Sequence, residues 1–264
     1  MDIRRVAIVV HEHKSQAGQL HKELGQILRA RNVQVTGDDP DIVLSLGGDG
    51  TMLRAAQLAH SADVPLLGIN FGTLGYLTEV EPGHERDALR ALLEGSYTIE
   101  NRMMIACEGV HGCDVSYVGL NEVLVERASR VRLVRLSVKV DSERLATFNG
   151  DGVVIATPTG STAYAMSAGG PIVSPRAECL VVVPVAAHMM FSRPFVLAAD
   201  ETVEIAVEGD EQRGAEVSLD GSMNCPLPNG AAVTVARHPR PLKLVRLSGP
   251  GFVERLRSKL GMPG

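Results

Sequence analysis

The sequence predicts an α/β N-terminal domain followed by an all-β, sandwich-like second domain. Three observations carry that reading. Apolar runs alternate with helical stripes over the first hundred residues, the texture then changes to short Val-rich segments, and 264 residues suit one large domain or two ordinary ones. Val6–Val10 reads as a buried strand, and Ser15 to Arg31 places Ala17, Leu20, Leu24, Ile27 and Leu28 on one helical stripe. Ile42–Leu46 is the next strand, Gly47-Gly48-Asp49-Gly50 a turn, and Thr51 to His60 a helix carrying Met52, Leu53, Ala56 and Leu58. Pro65–Ile69 supplies a third strand and Glu85 to Glu94 a third helix. From about Tyr97 the chain reads as strands alone: 115–120, 131–140, 153–156, 181–183, 203–207, 217–219 and 231–235. A last strand, Leu242–Leu247, and a helix, Gly251 to Lys259, have no partner that the sequence reveals. The domain boundaries expected are 1–96, 97–240 and 241–264.

Composition excludes several classes. Hydrophobic residues at 45% and charged residues at 22% argue against disorder, and a formal charge of −5 argues against a partner bound through phosphate neutralisation, so no nucleic acid is expected. Five Phe, four Tyr and no Trp leave a core of Val, Ile, Leu, Ala and Met. The longest apolar stretch, Cys179 to Phe191, is interrupted by Pro184 and His188 and falls short of the ~20 residues a membrane span needs. The run Val6–Val10 is too short for a signal-peptide core. The four cysteines form no C-x-x-C pair, so reduced thiols and a cytoplasmic protein are expected.

The chemistry concentrates in a few segments. Gly47-Gly48-Asp49-Gly50-Thr51 joins a strand to a helix, where glycines allow a sharp turn and helix N–H groups favour phosphate. An acidic residue there opposes the phosphate charge, so Asp49 reads as a proton acceptor for an attacking hydroxyl or a partner of a phosphate-bound divalent cation. The alternative is a tight turn in which Asp49 caps the helix. Neither the G-x-x-x-x-G-K-[ST] loop nor a third glycine for a dinucleotide fingerprint is present. Asn70–Leu77 and Asn121-Glu122 are weak signals singly, the second readable as a solvated strand edge. The second strong segment follows Gly150-Asp151-Gly152: Thr157, Thr159, Ser161, Thr162 and Tyr164 gather five hydroxyls within eight residues. That set suits sugar hydroxyls and an adenine edge, or else a Ser/Thr loop capping a helix that starts near Thr162.

Taken together, Gly47–Thr51, Asn70–Leu77, Asn121-Glu122, Gly150–Gly152, Thr157–Tyr164 with Ser167–Pro171, and His188 with Ser192-Arg193-Pro194 resemble the NAD kinase family in order and content. The turn alone is shared with diacylglycerol-type lipid kinases and phosphofructokinases; the Thr-Pro-Thr-Gly-Ser-Thr-Ala-Tyr segment is far more particular. The resemblance implies a Rossmann-like, phosphofructokinase-like N-terminal domain and a β-sandwich-like C-terminal domain, with catalysis in the cleft between them. It implies phosphoryl transfer from ATP, or from polyphosphate in some members, to the 2′-hydroxyl of the adenosine ribose of NAD, giving NADP. Asp49 is then the proton acceptor, with Gly50 in the same turn. Asn121 and Glu122 hold the adenosine, Asp151 faces the nicotinamide end, and Thr162, Ala163, Tyr164, Ala165, Met166 and Ser167 wall the nucleotide. Tyr76 packs against the nucleotide, Arg54 reaches donor phosphates unless it is an ordinary exposed helical Arg, and Arg132 and Asn149 match variable family positions near the dinucleotide. Mg²⁺ accompanies the donor phosphates with no protein metal site, and the protein is a homo-oligomer, a tetramer or dimer, with the last strand and helix returning to the first domain. Competing readings are a lipid kinase acting at a membrane and a non-catalytic dinucleotide sensor, which has no need of Asp49.

Asp220-Gly221-Ser222 departs from the family's Asp-Gly-Gln, and Met189-Met190-Phe191 is atypical. Cys107, His111 and Cys113 read as a hairpin rather than a metal site, His11-Glu12-His13 lacks H-E-x-x-H spacing, and Cys179 and Cys225 read as small buried hydrophobes.

Overall fold

A computed structural model describes residues 2–11, 15–71, 75–109, 117–129, 131–188, 193–209, 214–247 and 249–262. The proposed hairpin at His111, Glu12 and His13, the centre of the Asn70–Leu77 motif, and residues 189–192 lie outside them. In chain order the elements are β1 (Arg5–Val10), α1 (Ser15–Ala30), β2 (Gln34–Val35), β3 (Ile42–Leu46), α2 (Asp49–Ala62), β4 (Leu66–Ile69), α3 (Glu85–Leu93) and β5 (Thr98–Arg102). There follow β6 (Ile105–Glu108), β7 (Tyr117–Gly119), β8 (Glu122–Arg127), β9 (Val134–Val140), β10 (Glu143–Gly150) and β11 (Gly152–Ala156). A 3₁₀ turn at Gly160–Thr162 precedes α4 (Tyr164–Ser167), then β12 (Cys179–Val185), β13 (Phe195–Ala198), β14 (Val203–Glu208), β15 (Ala215–Leu219), β16 (Ser222–Leu227), β17 (Ala232–Arg237), β18 (Leu242–Arg246) and α5 (Phe252–Leu260).

The chain divides into two units, Met1–Arg102 with Pro241–Gly264, and Met103–Arg240. The first is a six-stranded sheet of order β2-β1-β3-β4-β18-β5, parallel except for β5, which runs antiparallel to β18. Both faces are covered, which is why β3 and β4 are apolar without alternation. Leu24 and Leu28 of α1 and Leu89 and Leu92 of α3 share a core with Val6, Leu44 and Ile69, while α2 packs on β1, β3, β4 and β18 and buries Met52, Ala55, Ala56 and Ala59. The Gly-Gly-Asp-Gly turn therefore sits at the C-terminal end of a central parallel strand, where open α/β sheets present their ligand-binding loops.

The second unit has two antiparallel six-stranded sheets, β10-β9-β14-β17-β6-β7 and β13-β12-β11-β8-β15-β16. Alternate residues of both point into one core: Leu136 and Val138, Val203 and Ile205, Val233 and Val235 from the first, with Val123 and Val125, Val153 and Ile155, Leu180 and Val182 from the second. Each such fully buried side chain contributes roughly 1.5–3 kcal/mol of transfer free energy. The second sheet also buries its outer face, where Val154, Ala156, Val181 and Val183 meet Ala165 of α4. Among the described residues Phe148 is the one aromatic in the buried core, so aliphatic side chains do fill it.

Several elements differ from expectation. Strand 131–140 begins only at Val134, and β2, β5, β8, β10, β13 and β16 were not among the strands expected. The helix that the alternative reading placed near Thr162 is a 3₁₀ turn and a single α-turn, neither with a side-chain cap. Cys107 and Cys179 are free thiols, but Cys225 is disulfide-bonded, which corrects the expectation of four reduced cysteines.

Candidate active site

Asp49 is the first residue of α2 and Gly48 its N-cap, with no side-chain capping bond. The carboxylate turns away from the helix: Oδ2 accepts from the backbone N–H of Tyr76 at 3.1 Å and Oδ1 from that of Leu77 at 3.2 Å. The capping alternative is thereby displaced. Gly75 makes that approach possible, and Gly47 makes room for Thr51. A Cβ on Gly75 would lie 2.0 Å from Asp49 Oδ1, and one on Gly47 would lie 2.2 Å from Thr51 Oγ1. Gly50 is exposed with open space around it. Tyr76 is partly buried, its hydroxyl pKa pushed up by burial and by the Asp49 charge, and Lys259 Nζ lies 6.0 Å from its ring centroid. Arg54 is exposed on α2 and donates to Val10 O at 3.1 Å.

A second group forms in the other unit around the start of β8. Asn121 and Glu122 are buried, and β8 is central in its sheet, between β11 and β15, so the solvated-edge alternative does not hold. Asp220 accepts from the backbone N–H groups of Leu120 and Asn121 at 2.7 Å each and of Glu122 at 3.1 Å. Thr157 Oγ1 donates to Leu120 O at 2.6 Å, and a Cβ on Gly160 would lie 2.0 Å from Asn121 O. The hydroxyl-rich segment is thus moulded onto Asn121-Glu122. The Glu122 carboxylate accepts from Tyr164 N–H, yet burial, first, and the Asp220 charge, second, push its pKa up to about 7. Its Oε2 is buried without a hydrogen-bond partner. Beyond it Thr162, Ala163 and Met166 are partly buried, Ala165 is buried, and Tyr164 and Ser167 are exposed.

A third group lies at the other end of the β8–β11 ladder. Ala156 pairs with Glu122 and Gly152 with Glu126, so the ends are about 14 Å apart at ~3.4 Å per residue. Here Asp151 Oδ1 lies 2.6 Å from Arg127 Nε. Nearby in sequence, Asn149 O accepts from His188 N–H at 2.7 Å. Arg132, Leu133, Asn149 and His188 line a cavity of about 390 Å³, and Asn149 Oδ1 is buried without a hydrogen-bond partner.

Family models for the ATP-NAD kinase N-terminal and C-terminal domains match residues 33–97 and 120–247. The chain belongs to the NAD kinase family. It is 40% identical over 247 residues to the NAD kinase of Corynebacterium glutamicum, covering 92% of this chain and 84% of that one. It is 44% identical over 227 residues to that of Nocardia farcinica, covering 84% and 69%. An NAD kinase from Archaeoglobus fulgidus solved in complex with ATP superposes with a TM-score of 0.77 at 26% identity, over 99% of each chain. The fold is also that of a yeast NADH kinase complexed with NADH, with a TM-score of 0.87 at 21% identity over 100% of this chain and 89% of that one.

Within this NAD kinase fold, the role of Asp220 escaped the sequence. Asp220 and Gly221 have φ of 49° and 68°, a two-residue hairpin turn, and the Asp-Gly pair signals that turn without revealing that its carboxylate collects three N–H groups about a hundred residues away. Ser222 donates to Leu219 O at 3.1 Å and so closes the turn. A cavity of about 420 Å³ in the first unit, lined by Glu79, Glu81, His84, Asp87, Ala88 and Pro250 among others, includes none of the predicted site residues. No helix among the described residues is long and apolar enough to cross a membrane.

Proposed function

We propose that this NAD kinase transfers the γ-phosphoryl group of ATP to the 2′-hydroxyl of the adenosine ribose of NAD, with Asp49 as proton acceptor. The observation that carries the proposal is the Asp49 carboxylate, turned out of its helix and fixed by two backbone N–H groups. A carboxylate is a weak base toward an alcohol, so Asp49 orients the hydroxyl and takes its proton late, as the attacking oxygen bonds to phosphorus in a loose transition state. Such a group contributes roughly 10²–10⁴-fold. Gly50 keeps the turn open to donor phosphates, and the first N–H groups of α2 attract them. Tyr76 borders the acceptor ribose, and Arg54 is assigned to the donor side.

The buried Glu122 Oε2 and Asn149 Oδ1 support the dinucleotide assignment, because a buried acceptor without a partner costs about 1–3 kcal/mol unless a ligand donor completes it. Glu122 accepts from ribose hydroxyls and the Asn121 amide reads an adenine edge, with residues 162–167 as the surrounding wall. Arg132, Asn149 and Asp151 take the other end of the dinucleotide. A divalent cation such as Mg²⁺, carried by the donor triphosphate, would supply charge neutralisation there; among the described residues no three carboxylate, imidazole or thiol groups gather to cage it. Polyphosphate as donor, homo-oligomerisation and a cytoplasmic location belong to the same proposal and rest on family membership.

The test is to incubate the purified protein with NAD, ATP and Mg²⁺ and follow NADP. Wild-type protein should form NADP, and Asp49→Asn should lose most of kcat while binding NAD as before. NAD binding without NADP formation would return the reading to a sensor.

A further inference from the structure

The C-terminal helix α5 is anchored in an unusual way. Among its described residues the one that is buried is Arg255, a cation, while Val253 and Leu260 on the same helix are exposed. An element that docks through a buried guanidinium adds little hydrophobic stabilisation, and a buried ion pair is itself weak evidence for stability. The destination of the guanidinium is therefore informative. Arg255 Nε donates to Pro250 O at 2.8 Å, Nη1 donates to Thr78 O, and Nη2 meets Glu79 Oε2 at 2.7 Å. Arg246 of β18 reaches the same Glu79 oxygen and also Glu100, and Glu79 Oε1 accepts from Leu247 N–H at 2.9 Å. Glu79 is buried and each of its oxygens is used.

The held segment, 75–79, is the one that holds Asp49. Thr78 Oγ1 accepts from Gly75 N–H at 3.0 Å, closing a tight loop whose next two N–H groups, of Tyr76 and Leu77, grip the Asp49 carboxylate. On its other flank the segment is tied to β4, where Glu79 N–H and Val80 N–H both donate to Gly68 O. Thr78 backs directly onto that strand, since a Cβ on Gly68 would come 3.1 Å from Thr78 Cα.

We propose that Arg255, with Glu79 and Thr78, is a positioning residue for the phosphoryl-transfer step: it fixes the 75–79 loop so that two backbone N–H groups present the Asp49 carboxylate at one angle. The inference rests on the reading of Asp49 as proton acceptor. None of these three side chains touches a reacting atom; they act through the loop. A misplacement of about 1 Å at a reacting group can cost on the order of 10²-fold in rate, which sets the scale.

Steady-state kinetics of the full chain test it. Arg255→Met, which keeps an unbranched side chain but removes the guanidinium, and leaves Glu79 paired with Arg246, should lower kcat about 10–100-fold while KM for NAD and ATP stays within about threefold. Placed in an Asp49→Asn background it should cost less than about twofold further, because a group acting through Asp49 has nothing left to act on. Glu254→Gln, exposed on the same helix, should match wild type. Should Arg255→Met fail to fold, Thr78 decides: Thr78→Val removes the acceptor for Gly75 N–H and should lower kcat about tenfold, whereas Thr78→Ser restores it. Wild-type kcat in both Arg255→Met and Thr78→Val, or an equal loss from Arg255→Met in both backgrounds, overturns the inference. Wild-type kcat in Asp49→Asn overturns instead the reading on which it rests.

Discussion

The two acidic constellations of this protein are built in opposite ways. In the first unit Asp49 is partly exposed and its carboxylate is satisfied by backbone N–H groups brought within reach by a glycine. In the second unit Glu122 is buried beside another carboxylate, Asp220, and one of its oxygens has no partner. The first arrangement sets the direction of the carboxylate, which suits a group that must face one hydroxyl. The second leaves an acceptor unsatisfied in a low-dielectric place, which suits a group completed by ligand donors. On the proposed reading, catalytic direction and binding complementarity fall to separate units with separate physical means.

The sharpest way to break this contrast is at Gly75. A methyl group there would sit 2.0 Å from Asp49 Oδ1, so the loop or the carboxylate must shift. Gly75→Ala should lower kcat by about two orders of magnitude with little change in NAD affinity, checked by initial rates and by calorimetric titration with NAD. A kcat near wild type would show that the backbone grip on Asp49 does not matter for turnover.

An intermediate effect is expected at Asp220, which stands behind the binding group as the 75–79 loop stands behind Asp49. Asp220 has φ of 49°, a conformation that Asn tolerates, so Asp220→Asn removes charge and some acceptor capacity without backbone strain. It should raise KM for NAD about tenfold with a smaller change in kcat, since uniform binding is lost. Asp220→Ala leaves three N–H groups without their acceptor and should in addition cost about 1–3 kcal/mol of stability, read by urea denaturation. A fall in kcat at unchanged KM would reverse the division of labour between the two constellations.

The legibility of these features followed their sequence range. The parallel strands and the helices α1 to α3 announce themselves through local periodicity, and the Gly-Gly-Asp-Gly turn through local chemistry, so the fold class and the candidate catalytic Asp49 are readable from neighbouring residues. What Asp49 is held by is not, because Tyr76 and Leu77 lie 27 and 28 positions away. Asp220 reads locally as half of a hairpin turn, and its function depends on partners 98 to 100 positions away. Arg255 reads as a charged residue on an ordinary terminal helix, and its partner Glu79 is 176 positions away. Glu122 resembled a solvated strand edge because nothing near it in sequence shows that β8 lies between two other strands.

The smallest effect on turnover is expected at Glu122, and its signature is a pH dependence of stability. In the folded protein its pKa is raised to about 7 by burial and by Asp220, against an ordinary value near 4.5. Between those values the native state binds a proton that the unfolded chain has released, so stability falls as pH rises through that window and levels off above about 7. The groups facing Glu122 include Asp220, itself raised by burial, and Tyr164 N–H, which favours the ionised form but is outweighed. A raised pKa of this size corresponds to at most about 3 kcal/mol across the window. Glu122→Gln has nothing to titrate there and should be more stable than wild type at pH 8 but not at pH 4.5, as read by urea midpoints at the two pH values. NAD itself should shrink the difference: if its ribose hydroxyls complete the carboxylate, saturating NAD stabilises wild type more at pH 8 than at pH 5, and the Gln variant equally at both. Identical pH profiles for the two proteins would mean that Glu122 is solvated, and the contrast between a backbone-held base and a ligand-completed acceptor would reduce to Asp49 alone.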